Sequence, residues 1–130
     1  MNLLTDRLKY EASIDRPKIK GPNGSKIIVW TTVNVELWNI IRPMPRNALP
    51  PPMGNQLLPN VPNWSWHEYG NRVGGWRLAD LFDDLEMNVG VIVNAANYSH
   101  SPDLIERYRT RGDEMIGHGI SNGTTRPIDM

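Results

Sequence analysis

The chain has 130 residues, with 14 basic and 14 acidic side chains, no cysteine, five tryptophans and one phenylalanine. That length supports one domain with a real core. Balanced charge gives no electrostatic footprint for nucleic acid or an anionic membrane surface, and the lack of cysteine excludes disulfides, thiolate metal sites and a cysteine nucleophile.

Residues 1–25 are polar and contain Pro17, Pro22 and the turn "PNGS"; they read as an N-terminal surface arm, with one domain over 26–130. The opening "MNLLTDRLKYEASIDRP" has no apolar run of signal-peptide length. No segment approaches the roughly 20 apolar residues of a membrane span. The expectation is a cytoplasmic protein. "KIIVWTTVNVELW" is rich in β-branched residues and predicts the first strand. Alternation puts Ile27, Val29, Thr31, Val33 and Val35 on one face, and Ile28, Trp30, Thr32, Asn34 and Glu36 on the other.

Seven of the eleven prolines fall in 43–62, "PMPRNALPPPMGNQLLPNVP", which excludes helix and central strand. The run is short of charge and carries Leu and Met, which favours an ordered loop packed on the domain over a linker. "WHEYGNRVGGWRLADLFDDLEM" predicts a helix with a stripe of Leu78, Leu81, Phe82 and Leu85. Gly74 and Gly75 weaken its middle, or mark close packing or a later start. "NVGVIVNAA" is a second strand. "SPDLIERYRTRG" is a helix with Ser101 as N-cap, Pro102 at its first position, Gly112 past its end, and Leu104, Ile105 and Tyr108 on its apolar side. "DEMIGHG" is a third strand. The order is βαβαβ, an α/β chain with parallel strands and right-handed crossovers. The near-continuous apolar runs of strands 1 and 2 predict a sheet covered on both faces.

Functional groups of parallel α/β folds collect at the C-terminal ends of strands. Asn34 and Glu36 sit there on strand 1, Asn94 on strand 2 and His118 on strand 3. Strands 1 and 3 lie about 10 Å apart when one strand separates them, so Glu36 and His118 reach towards one centre. A carboxylate and an imidazole there suit acid–base work or a metal. The plainer readings stand beside this one. His118 serves as a structural hydrogen-bonder, Glu36 pairs with Arg42 or Arg46, and Gly117 and Gly119 are turn residues. His67 and Glu68 read as a helix N-terminal turn, and His100 as a surface residue. Trp64, Trp66 and Trp76 offer a sugar-stacking platform or loop-packing core.

"VNVELW", "PMPR…LPPPMG…LLPNVPNWSWHEYGNRVGGWRL" and "VNAANYSHSPDLIERYRTRGDEMIGHGISN" resemble the N-terminal half of polysaccharide deacetylase-like proteins with the chitooligosaccharide-deacetylase (NodB-homology) fold, on the branch near the metal-independent allantoinases. The resemblance runs from about Arg16 to the end. It implies a partial (β/α) barrel and hydrolysis of non-peptide C–N (amide) bonds, with Glu36 and His118 as catalytic residues. Asn34, Asn94, Trp64, Trp66, Gly119 and Asn122 are the candidate substrate-binding residues. The substrate implied is a small amide or cyclic ureide, or an N-acetylated sugar.

Metal-dependent members hold their metal through an acidic pair and two histidines. Here Glu36 stands for the acidic pair, His118 for the first histidine and Asn122 for the second. A zinc ion wants three good donors, and Glu36, His118 and Asn122 supply two and a poor third, so no cofactor is expected, with a divalent metal such as zinc on those three residues as the alternative. The family also continues through further βα units, where a closed barrel needs roughly 200 residues or more. The chain is therefore expected to be a truncated N-terminal portion, catalytically incomplete by itself or a binding module, and to form homo-oligomers through open barrel edges.

Overall fold

Three parallel strands of four residues each carry the fold: β1 (Thr32–Val35), β2 (Gly90–Val93) and β3 (Glu114–Gly117), in the order β1-β2-β3. A computed structural model of the chain describes residues 9–44, 47–51, 54 and 58–122. The register aligns Val33 with Val91 and Met115, and Val35 with Val93 and Gly117. Between β1 and β2 runs one long helical stretch, α1 (Val61–Tyr69), a π-helical turn (Gly70–Gly74) and α2 (Gly75–Asp84). Between β2 and β3 come α3 (Asn97–His100) and α4 (Pro102–Thr110).

Val35, Val91 and Val93 pack against Ala79 and Phe82 of α2 and Leu104, Ile105 and Tyr108 of α4. Strand side chains alternate between faces, so both crossover helices cover the same face of the sheet. The opposite face carries Asn34, Ile92 and Ile116, with Trp30 lying across Gly90. Thr32 and Asn34 are exposed there. A sheet covered on both faces was expected. An order that advances steadily, with α2 and α4 on one side, leaves the second face only partly covered, by Trp30, among the described residues.

The first strand is shorter than its β-branched run. Ile27, Ile28, Val29 and Trp30 are exposed and precede the strand. The first rung is the Gly90 N–H donating to Thr31 O, so β2 offers those four residues nothing to pair with. Strand length here is set by the partner rather than by propensity.

The helix begins earlier than expected. Asn60 caps it by accepting from the Asn63 N–H at 3.4 Å, and Pro62 lies in its first turn. His67 and Glu68 therefore sit near the end of α1, not in its first turn. The expected apolar stripe is also rotated. Phe82 is buried, but Leu78, Leu81 and Leu85 are exposed, and the buried face of α2 is Gly75, Ala79 and Phe82. Small residues chose that face. A Cβ on Gly75 would lie 3.0 Å from Leu104 Cδ2, and the Tyr108 hydroxyl donates to Gly75 O at 2.8 Å.

Ser101 precedes Pro102 as expected, but its hydroxyl donates to Asn97 Oδ1 at 3.1 Å and does not cap α4. Gly112 follows the helix with φ of 80°, a left-handed conformation suited to glycine. Arg111, with a side chain 4 % exposed, ties the helix ends together. It donates to Ala79 O and Met87 O and pairs with Asp83 and Asp113.

The described parts of the proline-rich run are anchored on α1. Asn63 accepts from the Leu49 N–H at 2.8 Å and donates to Leu49 O at 3.0 Å, while Met44 is buried. Residues 45, 46, 52, 53 and 55–57 of that run, 1–8 of the arm and 123–130 lie outside the described residues. Residues 9–25 are almost wholly exposed. No described helix is long and apolar enough to cross a membrane.

Candidate active site

Past the last rung of the sheet the register places Glu36, Asn94 and His118 side by side. β2 stops here and turns into α3. The chain beyond β3 then crosses to meet the chain beyond β1: Trp38 and Asn122 form a parallel bridge, and the Asn122 N–H donates to Leu37 O at 2.8 Å. Two side chains from outer strands are thereby drawn together. Glu36 Oε1 lies 3.5 Å from His118 Nε2.

Each member of the pair is held and partly open. The Glu36 side chain is 26 % exposed and that of His118 is 39 % exposed. The other carboxylate oxygen of Glu36 accepts from Trp38 Nε1 at 3.1 Å, and its backbone carbonyl accepts from Asn71 Nδ2 at 3.0 Å. The Trp38 ring stacks on His67, with centroids 4.6 Å apart. His118 is anchored through its backbone, its N–H donating to Val93 O at 2.9 Å. Both side chains thus keep a surface that water and a small molecule can reach. Among the described residues Glu36 contacts His118 and Trp38 and makes no ion pair with Arg42; Arg46 lies outside them.

The other expected site residues divide. Asn34 lines a 390 Å³ cleft beside β1 together with Glu36, Trp66, His67 and Tyr69. Trp66 is half exposed and meets His67 edge-on at 5.1 Å. Trp64 is half-buried on the other side of α1, and Trp76 packs against the core. Gly119 has φ of 69°, and its carbonyl accepts from the Ala95 N–H at 2.9 Å, so its glycine identity serves the turn over β2. Asn94 is wholly buried, and Asn122 Oδ1 accepts from Asn94 Nδ2 at 3.1 Å.

That last contact bears on metal binding. Asn122 Oδ1 already accepts from Asn94 Nδ2, which leaves it one lone pair beside the Glu36 carboxylate and the His118 imidazole. No group of three or more His, Asp or Glu able to hold a metal ion occurs among the described residues.

One polar cluster was missed. Glu68 is buried, with His100 Nε2 at 2.8 Å from one oxygen and Arg72 Nε at 2.9 Å from the other. The Glu68–Arg72 spacing is a legible i,i+4 signal. His100 is 32 positions away in sequence and gives none.

No protein-family model, curated protein or solved structure matches the chain.

Proposed function

We propose that the chain carries the acid–base pair of a hydrolase for non-peptide C–N (amide) bonds, of the polysaccharide deacetylase-like kind. The observation behind this reading is the 3.5 Å approach of Glu36 to His118 at the C-terminal ends of parallel strands. The steadily advancing strand order, with helices on one face, is the unit that a (β/α) barrel repeats, and it supports a partial barrel.

In this reading the Glu36 carboxylate takes a proton from water, and the resulting hydroxide adds to the amide carbonyl. The tetrahedral oxyanion is met by backbone N–H donors at the glycine turn around Gly119. The proton taken up by Glu36 passes to His118 across the 3.5 Å contact, and His118 delivers it to the departing nitrogen as the oxyanion collapses and the C–N bond breaks to acid and amine. Trp38 fixes the second Glu36 oxygen, so the lone pairs facing His118 stay aimed at the site. The step uses no metal. A small cyclic ureide fits the expected cytoplasmic setting, and an N-acetylated sugar is the other substrate class.

The test is hydrolysis of cyclic ureides and acetamido sugars by the purified protein. Glu36→Gln and His118→Ala should each lower kcat/KM by about 10²-fold or more. Full activity in either folded variant sinks the assignment. Tight binding of either compound without turnover would make the chain a binding module, with Trp66 in the cleft as its stacking surface.

A further inference from the structure

We infer that Asn94 is the positioning residue that sets the separation between Glu36 and His118; the inference rests on the acid–base reading of that pair. Two strand spacings, roughly 10 Å, separate the outer strands of a three-stranded sheet. Glu36 and His118 nonetheless approach to 3.5 Å, one residue beyond the last full rung.

Between the tails of β1 and β3 lies the Asn94 side chain. Towards β3 the Ala95 and Ala96 N–H groups go on to donate to Gly119 O and Ile120 O, whereas towards β1 the backbone of β2 makes its last bond where the Asn94 N–H donates to Val35 O at 3.2 Å. From there its carboxamide continues the pairing. Oδ1 accepts from the Leu37 N–H at 2.9 Å, and Nδ2 donates to His118 O and to Asn122 Oδ1. A carboxamide offers the same donor and acceptor as a peptide unit, so one side chain supplies the rung towards β1 that the departing β2 backbone no longer makes, and ties it to the β3 tail. The tails of β1 and β3 are drawn onto it, and past it they bond directly, Asn122 N–H to Leu37 O.

The residue type is restricted by this job. Aspartate keeps the acceptor and lacks both donors, and alanine lacks all three groups. With no exposure and both N–H groups engaged, the amide has neither the access nor the spare donors to grip a substrate. Its action passes through Glu36 and His118.

The experiment compares Asn94→Ala and Asn94→Asp with the parent protein by crystal structure, amide hydrogen exchange and steady-state kinetics. In the alanine variant the Leu37 and Asn122 amides should lose protection by about tenfold, while Val91 and Val93 exchange as in the parent. The Glu36–His118 separation should pass the roughly 4 Å limit of an ion pair in both variants. Turnover should fall by about 10²-fold with KM changed by less than about threefold, the pattern of lost transition-state geometry. Asn94→Asp keeps the Leu37 contact and tests the β3 side alone, should the alanine variant not fold. A folded variant of either kind with an unchanged Glu36–His118 distance overturns the inference. An inactive parent whose pair separates in the variants refutes the hydrolase reading and supports the clamp.

Discussion

Tyr108 is the largest fully buried side chain among the described residues, and its hydroxyl donates to Gly75 O at 2.8 Å. Burial, and after it the carboxylate of Asp113, push its pKa up to about 12, against the opposing pull of Arg107. The unfolded chain ionises this phenol near pH 10. Below that value both states hold the proton and the native contact is fully available. Between pH 10 and 12 the unfolded state loses the proton while the folded state keeps it, so stability falls by about 1.4 kcal/mol per pH unit from this group. Tyr108→Phe should be less stable than the parent by about 1 kcal/mol at pH 8. Near pH 11 that gap should close, because phenylalanine has nothing to ionise. Urea unfolding at the two pH values reads the difference; a constant gap contradicts the account. The same contrast of buried and open groups separates Asn94 from the pair it flanks, since Glu36 and His118 keep the exposure that chemistry needs.

Gly74 and Gly75 show how much an element's behaviour depends on what it packs against. Both have helical φ and ψ, so alanine adds helix propensity at either position, up to about 1 kcal/mol. A Cβ on Gly74 finds Tyr69 atoms at 3.6 Å or more, an ordinary contact. A Cβ on Gly75 falls 3.0 Å from Leu104 Cδ2 and 3.1 Å from the Gly70 carbonyl oxygen, which is backbone. Overpacking of this kind costs about 1–3 kcal/mol. Gly74→Ala should therefore raise the midpoint of a thermal melt and Gly75→Ala should lower it. The pair also shows why the helix face was misread from sequence. Hydrophobicity pointed to Leu78, Leu81 and Leu85, whereas α4 approaches closely where α2 has no side chains in the way. Features with local causes were legible: Pro102 at a helix start, Gly112 past its end, and Glu36 and His118 at strand ends. Features made across the chain were not. The Asn94–Leu37 bond spans 57 positions and the Glu68–His100 contact 32, and nothing in either neighbourhood announces the partner.

At the scale of the molecule, the sheet has helices on one face and an outer edge at β1. In a parallel ladder alternate residues direct their backbone groups to opposite sides. Thr31 O and Val35 O point to β2, which leaves the N–H and C=O of Thr32 and Asn34 facing outward. The apolar residues Ile27, Ile28, Val29 and Trp30 lead into that edge and are exposed. Leu78 lies near it, lining the cleft beside β1. An outer edge of this kind is a template for pairing with another chain. The formal net charge is zero at pH 7, so copies do not repel one another strongly. Self-association through β1 is the expected outcome, visible in light scattering as a mass that rises with protein concentration. Thr32→Lys places a charge at the edge without touching the packed face, and it should weaken association by about tenfold, a change of about 1.4 kcal/mol. Its far-ultraviolet circular dichroism should match that of the parent, since Thr32 is exposed and outside the core. A parent that stays monomeric at high concentration, or a lysine variant that associates as before, would place the contact elsewhere or remove it.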